Sequence, residues 1–479
     1  MMGPAQETDE KLFYYGINLN KRIRVDNPLR RIQEVVDFGF VREAVADCYG
    51  RKGHESEDPI VIMKLMLLLF FDDVSSEREL MRIVGERLDY MWFLGFGLED
   101  EIPNHSVLSK ARKRWGQEVF EDLFVRIVEQ CVEAGLVDGK KIHMDSSLIE
   151  ANASKESVRA ALGKLYREEE RKLDEEPDGG ESRKLESRTD PDAAVIGKGR
   201  QLEARPRYKT HRAVDDQTGV ITALKTTRAD RNEGHELAAL VESHERNIDR
   251  RVETIVADAQ YGTYTNFLWC QKRNIRSHMA DLQEYKKGRE PGGLFGAEHF
   301  RYDDQTDSYE CPAGNRLHYH QIHRGQRVHI YKAAASTCQA CQLRPQCIRG
   351  LQGRTLRRPF HQELIQKART ESKSEAGRRD RRRRRHLMEG SFADAANNHG
   401  FKRSRWRRLW RQQIQDLLIA CCQNIRILIH ATGSRPEIAT IRGLAVAHWL
   451  LLAQTLVQME TVLLKNAEQH HHCSAFLSF

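Results

Sequence analysis

Lys140-Lys141-Ile142-His143-Met144-Asp145-Ser146-Ser147 and, farther along, Thr254-Ile255-Val256-Ala257-Asp258-Ala259-Gln260-Tyr261-Gly262 decide how the chain is read. Each is a short apolar run that breaks on an aspartate. Residues 141–145 read as a short strand and 254–257 as a buried one, by length and β-branched content. A carboxylate at the C-terminal end of a strand is rigidly held and points into the crevice where ligands bind. A lone strand-end Asp is more often a turn or cap residue. Two of them on equivalent strands favour a site.

Between these runs, 208–214 and 220–226 read as strands joined by the polar turn Asp215-Asp216-Gln217-Thr218-Gly219, and 233–246 reads as a helix. Strand, hairpin, helix, strand is the order of an RNase H-like core. Residues 155–192 are dense in charge, with Pro177, Gly179 and Gly180 in the middle, and read as a surface insertion, part helical and part flexible. Residues 285–370 hold cysteines and many turn residues and read as a second insertion. Residues 381–396 and 405–429 read as long helices, the second amphipathic, with Leu409, Ile414, Leu417, Leu418, Cys421, Ile425 and Leu428 near one side. Cys421 and Cys422 read as core residues.

Upstream, the texture is helical to about residue 130. Asp58 followed by Pro59 is a start signal, and Ser76 with Glu79 forms a capping box. Short helices ending in a basic one suit a helix-turn-helix module; a dimerising bundle fits equally well. The expected fold class is therefore α/β: an RNase H-like catalytic core with insertions, preceded by an all-helical N-terminal domain. Its expected divisions are 1–135 (DNA binding or dimerisation), 136–285 (first part of the core, with a charged insertion at 155–205), 286–372 (the cysteine insertion), 373–433 (rest of the core) and 434–479 (a helical tail docked on the core).

The chain has 479 residues, with 77 Lys and Arg against 69 Asp and Glu, a formal net charge of +8. That length implies two or three domains. The basic excess crowds residues 344–411, which suits a phosphate backbone, although a solvated helix or linker has the same composition. No signal peptide is evident, and the apolar stretches 60–71 and 444–453 are too short to span a bilayer. A cytoplasmic, nucleoid-associated protein without a membrane partner is expected.

Phosphodiester chemistry uses two divalent ions about 3.5–4 Å apart, held by hard carboxylate oxygens. Glu389 supplies a third acid, in His386-Leu387-Met388-Glu389-Gly390-Ser391-Phe392-Ala393-Asp394-Ala395. Phe392 and Ala393 follow it at i+3 and i+4, so its face is expected to be docked, and a docked carboxylate needs a metal or a charge partner. Arg385 is one such partner, or a phosphate contact.

The segments 144–154, 257–263 and 389–395 resemble the three motifs of bacterial insertion-sequence DDE transposases, in the branch whose third motif reads E-G-x-F-A-D-A-K. Residues 58–115, with Ser75-Ser76-Glu77-Arg78-Glu79-Leu80 and Pro103-Asn104-His105-Ser106, are similar to that family's helical region. The resemblance spans about 58–429. It implies Asp145, Asp258 and Glu389 as the catalytic triad, binding Mg²⁺ or Mn²⁺. It also implies cleavage of element ends, followed by attack of the freed 3′ hydroxyl on target DNA. Two departures stand out. The pattern's Tyr and Arg, seven and four residues before the Glu, are here Arg382 and Arg385; its Lys, seven after, is Ala396, leaving that role to Lys402 or Arg403. An end-binding protein with impaired catalysis and a standalone nuclease on the same fold stay open as alternatives.

Expected DNA contacts are Lys110, Arg112, Lys113, Arg114, Arg382, Arg385, Lys402, Arg403, Arg405, Arg407 and Arg408, with double-stranded element ends and target as partners. Trp406 and Trp410 either stack on a frayed base or pack in a groove. His235 either orients a phosphate or starts a helix. Two ends must be paired, so a homodimer is expected. Cys311, Cys338, Cys341 and Cys347 suit a structural Zn²⁺ site, with His318, His320 and His323 as alternative ligands and four free thiols as the plain reading.

Overall fold

The computed structural model describes residues 18–50, 56–160, 185–198, 202–282, 294–325 and 327–433. The expected tail, 434–479, lies outside them, as do parts of both insertions. Eight helices open the described chain: α1 Leu19–Arg22, α2 Pro28–Val35, α3 Phe40–Ala44, α4 Pro59–Phe71, α5 Glu77–Val84, α6 Leu88–Leu94, α7 Ser106–Trp115 and α8 Glu118–Glu133. The capping signals act as their chemistry dictates. The Asp58 carboxylate accepts the Ile60 N–H at 2.9 Å, and the Ser76 hydroxyl accepts the Glu79 N–H at 3.1 Å. Helix α4 is apolar all round and accordingly buried, with its Lys64 ammonium donating to Gln33 Oε1 (2.7 Å) and the Phe93 carbonyl (2.9 Å).

The main sheet carries β1 Lys141–Glu150, β2 Val158–Ala160, β3 Leu185–Ser187, β4 Ala194–Lys198, β5 Leu202–Asp215, β6 Ile221–Arg228, β7 Thr254–Val256 and β8 Arg276–His278. Its order is β2-β3-β4-β5-β1-β7-β8, with β6 also paired to β5. Strands β5 and β1 run antiparallel, whereas β1, β7 and β8 run parallel. The helix expected at 233–246 is a 3₁₀ turn, Glu233–Glu236, followed by α9 Leu237–Ile248. The described part of the charged insertion is not helical beyond one short turn. Its β2, β3 and β4 extend the main sheet along the first half of β5, because Ala194-Val195-Ile196 pairs with Arg205-Pro206-Arg207.

Helices cover both faces. On one face lie α9, α10 Tyr264–Lys272 and α13 Gln362–Lys373, sharing a core with Ile142, Met144, Ala213 and Ile255. On the other lie α14 Glu375–Asn398 and α15 Leu409–Gly433, whose core continues without a break into α4 and α8. Helix α15 was expected to be amphipathic. It is buried on every side from Gln412 to Ile425, since its polar residues face the sheet rather than water. Asp416 accepts the Thr210 and Thr226 hydroxyls at 2.5 Å each, and Asn424 bonds both the N–H and the carbonyl of Ile221. Cys421 and Cys422 lie in this core.

A second, five-stranded antiparallel sheet is inserted between β8 and α13: β9 Arg301–Asp303, β10 Ser308–Glu310, β11 Arg316–His323, β12 Val328–Lys332 and β13 Thr355–Pro359. The short helices α11 Ala335–Gln339 and α12 Arg344–Cys347 lie between β12 and β13. No described helix is long and apolar enough to cross a membrane.

Candidate active site

Strand β1 is longer than expected, so Asp145 sits in its middle and not at its end. Ser146, Ser147 and Glu150 interrupt the apolar pattern that marks a strand, and pairing with β5 carries them. What ends near Asp145 is the partner strand. The parallel register aligns Ile142 with Ile255 and His143 with Val256, the last residue of β7. Asp145 follows His143 by two residues on β1, and Asp258 follows Val256 by two residues just past the end of β7, so both leave the last β1–β7 pair on the same side.

The electrostatics agree with that juxtaposition. Burial pushes the Asp258 carboxyl up to about 6, with further upward pushes from Glu233 and Asp145. Burial also raises Asp145, opposed by the Arg384 guanidinium, whose Nη1 lies 2.6 Å from Asp145 Oδ2. Glu233 faces both aspartates, although sequence reasoning singled out its neighbour His235, which is exposed. The signal was present in Asn232 and Gly234. The Asn232 side chain caps the turn, and a Cβ on Gly234 would meet the Gln260 carbonyl at 2.9 Å, so only glycine lets this turn press against the Asp258 loop.

Helix α14, which carries Glu389, packs on β1, β7 and β8. Polar contacts fix it along its length. Asp380 accepts from Lys141 (3.1 Å) and pairs with His278 (2.8 Å); Asp216 pairs with both Arg383 (2.6 Å) and His143 (2.7 Å). Past Glu389, the Ser391 hydroxyl meets Arg212 Nη1 at 3.1 Å. Arg212 stands opposite Asp145 on β5 and is fully buried between the rings of Phe392 and Phe401, at 4.9 and 4.8 Å. Burial lowers its guanidinium to about 10.

Glu389 itself departs from expectation. It is exposed, as is Ala393, and among the described residues it makes no hydrogen bond or ion pair. Phe392 docks by stacking on Phe401, while Glu389 stays at the surface. The arginine that reaches the aspartates is Arg384, while Arg385 is exposed. Among the described residues, no group of three or more His, Cys, Asp or Glu side chains is set to hold a metal ion as it stands. Asp145 and Asp258 nonetheless fit a hard divalent cation: they are oxygen donors, half-buried and mutually repelling.

Several expected DNA contacts are engaged inside the protein. Arg112 is buried, pairs with Glu77 at 2.5 Å and stacks on Trp406 at 3.8 Å. Trp406 donates to Glu77 Oε1 at 3.0 Å and meets Phe70 edge-on, so it packs rather than awaiting a base. Arg405 pairs with Asp73 at 2.6 Å, donates to the Leu69 and Val74 carbonyls and lies over Phe70. These three residues fasten the N-terminal helices to the loop before α15. Lys402, Arg407 and Arg408 are exposed with local partners in Ser147, the Asn152 carbonyl and Asp192. Lys110, Lys113, Arg114, Arg382 and Arg403 are exposed, with Arg114 resting on the Tyr49 ring. Trp410 is half-buried under Arg411. The four clustered cysteines line one small cavity at the end of the inserted sheet.

Comparison with known proteins adds the following. Residues 17–114 match a family model described as a transposase domain (DUF772), and residues 310–429 match one described as a transposase DDE domain. No curated protein matches. Among solved structures, the chain is similar to a piggyBac transposase synaptic complex with hairpin DNA, at 8% identity and a TM-score of 0.37, over 85% of this chain and 76% of that one. It is also similar to a Mos1 transposase paired-end complex with the left transposon end, at 11% identity and a TM-score of 0.16, over 50% of this chain and 64% of that one. Two transposase domains are thus matched, one at the N-terminal helices and one, of the DDE type, running through α14, and together they support a DNA transposase.

Proposed function

We propose that the chain cuts the ends of its own element and joins the freed 3′ hydroxyls to target DNA, using an RNase H-like core in which Asp145, Asp258 and Glu389 hold Mg²⁺ or Mn²⁺. One observation carries this reading: Asp145 and Asp258 each follow the last β1–β7 pair by two residues, and Asp145 pushes the Asp258 carboxyl upward. The strand, hairpin, helix, strand order of β1, β5–β6, α9 and β7 supports the core assignment.

The bound ions would supply charge neutralisation and an activated oxygen at the phosphodiester. The chain's own residues prepare the place. Asp145 and Asp258 offer oxygens from a sheet buried on both faces, and Glu233 adds negative charge at the rim. Arg384 neutralises Asp145 through its 2.6 Å ion pair. Anchors on both sides of Glu389, Arg384 to Asp145 on β1 and Ser391 to Arg212 on β5, hold its helix against the sheet.

The exposed cations Lys110, Lys113, Arg114, Arg382, Arg385, Lys402, Arg403, Arg407 and Arg408 contact phosphates, with the protein working as a dimer on paired ends in the cytoplasm, at the nucleoid. Arg112, Arg405 and Trp406 serve the fold instead.

The outward Glu389 and Ala396 favour one second reading, an end-binding protein whose catalysis has lapsed. Incubation with matched element-end DNA, target DNA and Mg²⁺ separates the readings. Cleavage with joining is the expected result. Binding without product supports the lapsed enzyme, and cleavage without joining supports a nuclease.

A further inference from the structure

The inserted sheet is thinly held. Its apolar core is Phe300, Leu317, Tyr331, Ala333 and Leu356, five buried side chains beneath five strands. Domains with so little core are usually closed by a disulfide or a metal. All four cysteines here are free thiols.

Those thiols come from two turns that meet at one end of the sheet. Cys311 follows β10 in a tight turn: its N–H donates to the Asn315 carbonyl at 2.8 Å, and the Gly314 N–H returns to the Cys311 carbonyl at 2.8 Å. Gly314 makes that return possible with φ +76°. Cys338, Cys341 and Cys347 lie on the connection from β12 to β13, around α11 and α12. Cys338 and Cys341 bracket one turn, with the Cys341 N–H directed at the Cys338 carbonyl at 3.4 Å. The Arg354 N–H donates to Cys338 Sγ at 3.4 Å, which fixes where that sulfur sits in the turn. All four thiols line the same small cavity, beside Leu317 and Ala333.

We propose that Cys311, Cys338, Cys341 and Cys347 together hold one structural Zn²⁺ ion that closes this end of the inserted sheet. An all-thiolate set selects zinc among the common divalent ions, and four sulfurs leave no open position for chemistry. The sulfurs line the cavity wall and, as placed, do not converge on one point. Structural zinc sites complete themselves on binding, as Zn–S bonds of about 2.3 Å draw the ligands inward. Each thiol that ligates gives up its proton to solvent. The result ties the long β12–β13 connection to the β10–β11 turn, beside the small core against which Cys311, Cys338 and Cys347 already pack. The histidines weighed as alternatives, His318, His320 and His323, lie on β11 itself and are exposed.

The test is elemental analysis of the purified full chain, with thiol titration before and after chelation. About one zinc per chain is expected, with the four thiols protected until the metal is removed. Replacement by Co²⁺ is expected to give a thiolate-to-cobalt charge-transfer band, lost in the double variant Cys338→Ser/Cys341→Ser. Asp258→Ala is expected to keep its full zinc content, which separates this site from the carboxylates. Metal-free protein with four freely reactive thiols, a disulfide among them, iron in place of zinc, or zinc lost with Asp258→Ala would each overturn the assignment.

Discussion

The two sheets of this protein are held in opposite ways. The main sheet is sandwiched between helices, with one apolar core on the α9–α10–α13 face and a larger one on the α14–α15 face. The inserted sheet has a five-residue core. It relies instead on a ring cluster, in which Tyr302, Tyr309 and Tyr331 meet at 5.0 to 6.0 Å and Asp307 accepts two of their hydroxyls. The contrast matches what each must do. Carboxylates that meet a divalent ion need a backbone that does not yield, which a doubly covered sheet provides. An inserted module has only to hold its own shape.

The largest expected effect lies where the main sheet's cover is thickest. Leu418→Ala, in the centre of α15, should cost about 3–4 kcal/mol in urea unfolding. A cost below about 1 kcal/mol would mean that this core is not close-packed.

Asp416 sharpens the same point through pH. Burial raises its carboxyl to about 6, above its unfolded value, so the stability associated with the neutral form is present below about pH 4 and is lost as pH rises to about 6. The loss should approach about 3 kcal/mol. Asp416→Asn should flatten that fall between pH 4 and 6. An unchanged slope would move the pH dependence to another group.

Ser76→Ala removes the cap of α5 and should cost about 1 kcal/mol. Glu389→Gln should leave unfolding within about 0.5 kcal/mol of the parent, since the side chain is exposed, while removing DNA cleavage. A large stability change there would show that Glu389 is docked after all.

Local chemistry carried most of the legible content. Caps at Asp58 and Ser76, the turn 215–219, the strand at Thr254 and the apolar α4 are all dictated by neighbours in sequence. What stayed hidden depends on distant partners. Trp406 and Glu77 are 329 positions apart, so no local pattern reveals that Arg112 and Trp406 face each other rather than DNA. The length of β1 follows from its pairing with β5. Of the site, Asp145 and Asp258 could be picked out from strand and motif. Glu233 was signalled only indirectly, by Asn232 and Gly234 beside it, and Arg384 not at all, being one arginine in a run.

The central claim is that Asp145 and Asp258 act as one pair. It is tested most directly by strand cleavage on element-end DNA with Mg²⁺, comparing the parent with Asp145→Ala and Asp258→Ala. Each variant should lose product by about a thousandfold or more, with the double variant no worse than either single one. End binding and melting should be retained. Product formation that survives Asp258→Ala would contradict the account.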